Sequence, residues 1–215
     1  MRVFAITYVI AAALTLVSAS PLPIENHDIV SRSAAQCGEV GSAEYCQGIV
    51  FKDAQYLCGD MRLGPAMLPK MGPITRVVAS WQRFGDLCPA EFIKTWTDSK
   101  GEWKYPPFKG FLLDGSGSVQ AKDVMLERGM RLDRFGSEFG QFLAPANTPF
   151  GARAIPPSNL NGKGSSYHVY EVVAPFPAQA GPTAPWFGQK GRGMQYYVAE
   201  KIVHLVKSGK LRQIK

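Results

Sequence analysis

The sequence predicts an α+β fold, in which a small N-terminal region held by disulfides precedes a β-rich C-terminal domain with short helices. Three observations favour this class. The 215 residues include 22 glycines and 16 prolines, which indicates many turns and short elements rather than a helical bundle. Apolar residues make up 46% of the chain and charged residues 19%, so a packed core is expected. The helix and strand candidates follow one another with no regular βαβ alternation and no internal repeat.

The first 19 residues are typical of a secretory signal peptide. Arg2 supplies a positive charge, residues 3–17 are apolar, and small residues precede a cleavage site near Ala19. A membrane anchor fits less well, because the apolar stretch is short for a span and prolines follow it at once. No later stretch is long and apolar enough to span a bilayer. We therefore expect a secreted protein, with residues 20–36 as a flexible lead-in.

The four cysteines all lie in the first half of the chain, at Cys37, Cys46, Cys58 and Cys88. An even number in a secreted chain indicates two disulfides, and three pairings remain open. A metal site is not favoured, because the chain has no Cys-x-x-Cys motif and no histidine at ligand spacing nearby. The cysteines predict a disulfide-stapled N-terminal region. We assign this region to residues 37–117 and a second domain to residues 118–215.

The elements of the N-terminal half are predicted to be short. Residues 74–84 are compatible with either a strand or a short helix. Residues 103–117 contain several prolines and glycines, so they are predicted to be mostly loop and turn. Residues 119–128 are predicted to form a short helix that presents Met125 and Leu126 on its apolar side and ends at Gly129.

The C-terminal half is predicted to consist mainly of strands. The strand candidates are residues 131–135, 140–143, 167–173, 195–198 and 211–214. The third of these is the clearest, because it is rich in β-branched and aromatic residues and contains no glycine or proline. Residues 174–193 are predicted to be a long loop. Residues 200–207 have apolar side chains at helical spacing, with Gly209 placed to end the helix.

The common catalytic motifs are missing from this sequence. There is no nucleophile elbow, and the three histidines are far apart, without an His-x-x-x-His pair. The tetrapeptide at residues 162–165 lacks the Ser or Thr that follows the lysine of a phosphate loop, so a hairpin tip is the better interpretation. The net charge of +7 suits an anionic small molecule, a microbial surface or a nucleic acid equally well. Charge alone therefore identifies no partner.

A set of motifs between residues 131 and 197 is more informative. In chain order they are Arg-Leu-Asp-Arg-Phe-Gly (131–136), Phe-Leu-Ala-Pro (142–145), Thr-Pro-Phe (148–150), Arg-Ala-Ile-Pro-Pro (153–157), Tyr-His-Val-Tyr-Glu-Val (167–172), Ala-Pro-Trp-Phe-Gly-Gln (184–189) and Gly-Met-Gln-Tyr (193–196). In this order, the motifs resemble those of the TNT-type NAD glycohydrolases, which are secreted necrotizing toxins of bacteria and their fungal surface relatives. The resemblance is strong over residues 119–214. It is weaker over residues 37–117, where the chain is similar to the fungal members.

The resemblance implies an enzyme that hydrolyses NAD⁺ to nicotinamide and ADP-ribose, with NADP⁺ as an open alternative substrate. Cleavage of the N-glycosidic bond passes through an oxocarbenium-like transition state. Nicotinamide leaves as a neutral molecule from a cationic pyridinium, so neither a proton donor nor a carboxylate pair is required. No cofactor is implied, because NAD⁺ is the substrate.

The resemblance also implies the assembly of the protein and its partners. The fungal members form homodimers through their disulfide-bearing region, so we expect a homodimer here. Some of them bind calcium with acidic residues beyond the catalytic glutamine. The last fifteen residues of this chain contain no acidic residue, so we expect that calcium site to be absent. We expect neither a nucleic-acid partner nor a membrane span.

By resemblance, Arg134 and Gln195 are the catalytic residues. A guanidinium can bind phosphate oxygens in a bidentate way, so Arg134 suits the pyrophosphate. A carboxamide both donates and accepts hydrogen bonds, so Gln195 suits the ribose hydroxyls or the attacking water. The alternative for Arg134 is an exposed ion pair with Asp133 or Glu138. The alternative for Gln195 is a satisfied polar residue within a strand.

Four further residues are predicted to bind the substrate. Phe142 matches an aromatic position of the family and either stacks on nicotinamide or belongs to the core. His168 matches the family more loosely and is either a site residue or a half-buried structural histidine. Trp186 and Phe187 lie in a segment rich in proline and glycine, where they either line the cleft or anchor the loop to the core.

Two other functions compete with hydrolysis. A mono-ADP-ribosyltransferase would use the same dinucleotide, but such enzymes usually need a glutamate to activate the acceptor, and no glutamate here lies in a comparable motif. A non-catalytic, toxin-like secreted effector would act through its disulfide-stapled region instead.

Overall fold

The computed structural model describes residues 37–68, 70, 72–162 and 167–214. Contacts divide the chain into two units, Met1–Val30 and Ser31–Lys215, and all described residues belong to the second. The predicted signal peptide and lead-in lie outside the described residues. So does most of the tetrapeptide at residues 162–165.

Seven strands form one sheet. They are β1 (Lys122–Leu126), β2 (Arg131–Phe135), β3 (Phe142–Pro145), β4 (Tyr167–Val172), β5 (Phe176–Pro182), β6 (Met194–Tyr197) and β7 (Leu211–Gln213). Their order across the sheet is β1-β5-β6-β3-β2-β4-β7, and each pair of neighbours is antiparallel. The α-helices are α1 (Pro73–Val78), α2 (Pro89–Trp96), α3 (Phe150–Arg153) and α4 (Ile202–Lys207). This architecture confirms the predicted α+β class.

The two faces of the sheet pack against different helices. On one face, Leu132 and Tyr170 are buried in a cluster with Ile202 of α4. On the other face, Phe135 and Tyr167 are buried in a cluster that includes residues of α1 and α3. Successive side chains of a strand point to opposite faces, so β2 and β4 contribute to both clusters. The central strands are therefore covered on both sides.

The N-terminal region forms a third cluster around short 3₁₀ turns at Leu57–Gly59 and Met61–Leu63. Disulfides join Cys37 to Cys88 and Cys46 to Cys58, at sequence separations of 51 and 12 residues. The prediction of two disulfides is confirmed, and the structure selects one of the three pairings. Cross-links of this kind stabilise a fold mainly by restricting the unfolded chain.

The N-terminal region and the sheet share their hydrophobic cores. Trp81 packs edge-on against Phe150 with ring centroids 4.6 Å apart. The backbones of the two parts also touch, because a Cβ atom on Gly188 would lie 2.7 Å from the carbonyl oxygen of Phe84. The boundary predicted after residue 117 therefore does not separate two cores.

The helix predicted at residues 119–128 is wrong, because this segment contains strand β1. Its exposure alternates along the strand, with Val124 and Leu126 turned towards the core and Met125 towards solvent. That alternation is the period of a strand. Pairing of β1 with β5 along its whole length outweighs the local helix propensity.

The long loop predicted at residues 174–193 is also wrong in its first half, which forms strand β5. The two prolines and the glycine of this strand are typical of loops, which led to the wrong prediction. Pro177 lies where β5 is paired with β1 alone, beyond its pairing with β6. Gly181 is required by close packing, because a Cβ atom there would collide with the carbonyl oxygen of Gln120.

The remaining element predictions agree with the structure to within a few residues. The strands predicted at 131–135, 167–173, 195–198 and 211–214 are β2, β4, β6 and β7, and the helix predicted at 200–207 is α4. The strand predicted at 140–143 begins two residues later, as β3. The segment at 74–84, left open between strand and helix, begins with helix α1. None of the helices in the described part of the chain has the length and apolar character that a membrane crossing requires.

Candidate active site

A cavity of about 420 Å³ opens between the strand ends of β2, β3 and β6 and a segment of the N-terminal region. Arg134, Phe142 and Gln195 all line it. Its volume lies within the range of small-molecule sites in proteins, roughly 300–1,000 Å³. The structure thus brings three of the six residues predicted for the site to one cavity.

The side chain of Arg134 is held by the loop that joins β2 to β3 and by the first residue of β3. Its Nε donates to the carbonyl oxygen of Ser137 at 2.7 Å, and its Nη1 donates to the carbonyl oxygen of Phe142 at 2.9 Å. No hydrogen bond within the described residues uses its Nη2. These two carbonyl groups therefore orient the guanidinium and leave an amino group for a ligand.

Arg134 has no carboxylate partner among the described residues. Asp133 pairs instead with Arg153, at 2.6 Å, and Glu138 accepts a hydrogen bond from the Tyr170 hydroxyl at 2.9 Å. The predicted alternative, an ion pair of Arg134 with one of these acids, is not formed. Burial lowers the pKa of Arg134 from its ordinary value, while Tyr170 and Glu138 act to raise it. The guanidinium stays charged and can attract an anion.

Gly140 makes room for this guanidinium. A Cβ atom on Gly140 would collide with the Arg134 side chain and would lie 2.6 Å from its Nη1. The φ angle of Gly140 lies outside the left-handed region, so the backbone itself does not demand glycine. The requirement for glycine at this position comes from the position of Arg134.

Gln195 is half-buried on β6, where it pairs with Gly181 of β5. Its Nε2 donates to the carbonyl oxygen of Lys109 at 2.9 Å. None of the hydrogen bonds in the described residues uses its Oε1. The carboxamide is therefore fixed through its nitrogen, and its oxygen is left as an acceptor.

Phe142 lies at the rim of the cavity and does not belong to any of the three core clusters. It is 37% exposed, and its ring contacts Tyr197 at a centroid distance of 5.3 Å. This geometry favours the binding role over the core role. Stacking of Phe142 on nicotinamide remains a prediction.

The cavity carries an excess of positive charge. Its charged lining residues are Lys109, Asp133, Arg134 and Arg153. Asp133 and Arg153 neutralise each other, and no ion pair among the described residues neutralises the other two. The arrangement therefore suits an anionic ligand. The described residues contain no group of three or more metal-ligating side chains, and the absence of the relatives' calcium site remains a prediction.

His168 does not line the cavity, although it pairs with Arg134 across β2 and β4. Its Nδ1 lies 3.2 Å from Nε2 of Gln213 on β7, and its ring stacks against Tyr170 at 6.2 Å. Its contacts lie within the sheet. The structure favours the structural alternative over a substrate-binding role.

Trp186 and Phe187 also lie outside the cavity lining. Phe187 is 1% exposed and packs edge-on against Trp103 with centroids 5.4 Å apart. The indole Nε1 of Trp186 donates to the carbonyl oxygen of Lys104 at 2.6 Å. Both side chains anchor their loop to the N-terminal cluster, so the predicted direct contact with substrate does not fit the structure.

Two comparisons with known proteins identify the family of this chain. Residues 125–214 match the family model described as tuberculosis necrotizing toxin, TNT. The chain is 43% identical over 176 residues to the conidial surface nicotinamide adenine dinucleotide glycohydrolase nadA of Aspergillus fumigatus, covering 79% of this chain and 75% of that protein. This chain belongs to the TNT family.

Solved structures give weaker likenesses to this TNT-family chain. The tuberculosis necrotizing toxin complexed with its immunity factor IFT matches with a TM-score of 0.42 and 23% identity, over 53% of this chain and 64% of that one. Rhs1-CT in complex with its cognate immunity protein RhsI1 matches with a TM-score of 0.33 and 16% identity, over 52% of this chain and 84% of that one.

One wall of the cavity in this TNT-family chain escaped the sequence interpretation. Tyr105, Pro106, Lys109 and Gly110 line it, and they belong to the segment predicted only as loop and turn. They precede the residues that match the TNT family model. No local motif marks them. Their place in the site follows from long-range contacts, such as the edge-on packing of Tyr105 against the buried ring of Phe187 at 5.7 Å.

Proposed function

We propose that this chain is a secreted NAD glycohydrolase, which cleaves NAD⁺ to nicotinamide and ADP-ribose. The observation that carries the proposal is the meeting of Arg134 and Gln195 in one cavity whose lining has an excess of two cations. The relative that is 43% identical to this chain is named as an enzyme of this activity. The match to the TNT family supports the same conclusion.

The chemistry fits the groups that the cavity provides. The bond between the ribose carbon and the nicotinamide nitrogen breaks, and its electron pair leaves with nicotinamide as a neutral base. A water molecule then attacks the oxocarbenium-like centre and loses a proton to solvent, giving ADP-ribose. Arg134 binds the pyrophosphate, and the Oε1 of Gln195 accepts a hydrogen bond from a ribose hydroxyl or from the attacking water. Phe142 shields the developing cation.

The first test is product analysis with purified folded protein. Incubation with NAD⁺ or NADP⁺ in H₂¹⁸O is expected to release nicotinamide and to place ¹⁸O on the anomeric carbon of ADP-ribose or its 2′-phosphate. Gln195→Ala is expected to lower kcat about tenfold, the worth of one neutral hydrogen bond. Mass spectrometry and an etheno-NAD⁺ fluorescence assay measure the two effects.

Gln120→Ala is the matched control, because Gln120 is exposed and lies outside the cavity lining. It should leave the rate unchanged. Transfer of labelled ADP-ribose to added proteins, in place of ¹⁸O incorporation, would indicate the mono-ADP-ribosyltransferase instead. No cleavage by folded protein would reject both enzymes in favour of the non-catalytic effector.

We propose that the enzyme acts outside the cell or at its surface, after removal of residues 1–19 as a signal peptide. The relative from Aspergillus fumigatus is named as a conidial surface protein. The two disulfides of this chain fit the same location, because such cross-links persist in oxidising compartments.

We further propose a homodimer formed through the disulfide-stapled region. Large apolar side chains of this region are exposed by 58–79%: Val40, Val50, Phe51, Met61 and Met67. Two of them, Val40 and Phe51, line one surface depression. Large apolar side chains that are exposed side by side, as Val40 and Phe51 are, are typical of protein interfaces.

Light scattering after gel filtration tests the dimer. The native protein should have twice the mass of its chain, and Val40→Glu/Phe51→Glu should be a folded monomer, because a dimer would bury the new charges. Met125→Glu is the control, since Met125 is exposed on the edge strand β1. A monomeric native protein would contradict the proposal.

A further inference from the structure

We propose that Lys109 is a positioning residue that fixes the orientation of the Gln195 carboxamide, so that Gln195 presents an acceptor oxygen to the substrate. The inference rests on the proposed function and deepens it. It also gives the N-terminal region a part in the reaction, because Lys109 precedes the residues that match the TNT family model.

The contact between the two residues uses the backbone of Lys109. Its carbonyl oxygen accepts a hydrogen bond from Nε2 of Gln195 at 2.9 Å. Rotation of a glutamine's terminal amide group by 180° about its last side-chain torsion exchanges the positions of its oxygen and nitrogen. After this rotation, Oε1 of Gln195 would face the carbonyl oxygen of Lys109, and the two acceptors would repel each other. The carbonyl therefore selects the state in which nitrogen faces the wall and oxygen is left for a ligand.

The carbonyl is aimed by an unusual backbone conformation. Phe108, Lys109 and Gly110 have φ angles of 54°, 57° and 76°. Only glycine enters this left-handed region without a steric cost, so two consecutive non-glycine residues there need support from their surroundings. Without that support, the turn would relax and the carbonyl would lose its direction.

The side chain of Lys109 supplies this support. Its Nζ donates to Oε1 of Gln179 at 2.9 Å and lies 3.9 Å from the centre of the Tyr197 ring. These two partners face each other across β5 and β6, and Tyr197 lies two residues beyond Gln195 on β6. Lys109 thus holds β6 at two points, through its side chain at Tyr197 and through its carbonyl at Gln195.

The wall on which Lys109 sits is itself tied to the sheet. The amide of Ala184 donates to the carbonyl oxygen of Gly110, and the amide of Leu112 donates to that of Pro182, both at 2.8 Å. Downstream backbone contacts therefore hold the end of the turn, while the ammonium of Lys109 holds its centre. Loss of the ammonium is expected to free the carbonyl without detaching the wall.

Enzyme kinetics test the inference. Lys109→Met should lower kcat for NAD⁺ about fivefold, less than the loss in Gln195→Ala, with KM changed less than about twofold. Lys109→Arg should recover most of the rate, because a guanidinium can still reach an amide oxygen and an aromatic ring. In a Gln195→Ala background, Lys109→Met should have almost no further effect, since its action passes through Gln195. Lys122→Met, an exposed lysine on β1, is the control.

A second measurement does not need turnover. The Gln195 side-chain amide of ¹⁵N-labelled protein, assigned by its loss in Gln195→Ala, should shift in Lys109→Met and stay unchanged in Lys122→Met. Gln179→Leu, which removes the acceptor of the ammonium, should shift it in the same way. Unchanged amide signals in both test variants would overturn the inference even if the chain proved inactive. So would an equal loss of kcat from Lys109→Met with and without Gln195.

Discussion

Replacement of Arg134 by alanine is expected to lower kcat/KM for NAD⁺ about a thousandfold, the upper range for loss of a preorganised donor group. The guanidinium lines the cavity without a carboxylate partner among the described residues. Its removal takes away the cation that is proposed to bind the substrate's pyrophosphate. Two backbone carbonyls also lose their donor, which gives a smaller loss of stability, about 1–3 kcal/mol.

Two further variants separate charge from geometry at this position. Arg134→Lys keeps the charge but loses the planar set of donors, so its activity should fall between those of the native protein and Arg134→Ala. Arg131→Ala removes an exposed arginine from the same strand, outside the cavity lining, and should leave kcat/KM unchanged. The assignment of Arg134 would be wrong if Arg134→Ala were folded and within about threefold of the native rate.

Gly140→Ala is expected to lower kcat/KM about a hundredfold although it adds only one methyl group, because misplacement of a catalytic group by about 1 Å can have that effect. The new Cβ atom would collide with the guanidinium of Arg134, which has to leave its two carbonyl partners. The backbone at Gly140 accepts alanine without a left-handed φ angle. The loss should therefore be larger in activity than in thermal stability.

Gly115→Ala is the matched control for this variant. Gly115 also lies outside the left-handed region, and a Cβ atom there would meet nothing within 4 Å. In the Gly140→Ala/Arg134→Ala double variant, the added methyl group should have no further effect on kcat/KM. A further large loss in that double variant would mean that Gly140 acts through something other than the guanidinium.

Local patterns in the sequence were sufficient to predict two strands from the interior of the sheet. The strand with Arg134 and the strand of residues 167–173 follow from apolar and aromatic side chains without breakers, and both lie where the sheet is covered on two faces. Strand β5 could not be found in this way. Its prolines and glycine are tolerated only because of where β1, β6 and Gln120 lie, and that arrangement is not visible locally.

The site residues divide in the same way, into those whose role local motifs indicate and those whose role depends on long-range packing. The motifs led to Arg134, Phe142 and Gln195, which the fold brings to one cavity. They also led to Phe187, which does not line the cavity. Its large ring is buried behind the wall formed by residues 105–110, where it packs against Tyr105. A motif marks the importance of such a residue and leaves open whether it touches the ligand or supports a residue that does. Only the packing of distant segments decides between the two.

The cavity is lined both by residues that match the TNT family model and by a segment that precedes them, and this has a consequence for inhibitor selectivity. A compound that contacts only Arg134 and Gln195 would address groups from the residues that match the TNT family model. A compound that also contacts Tyr105 and Lys109 would address a segment outside that match. An inhibitor designed to block this protein and spare other TNT-family enzymes should therefore be extended towards residues 105–110.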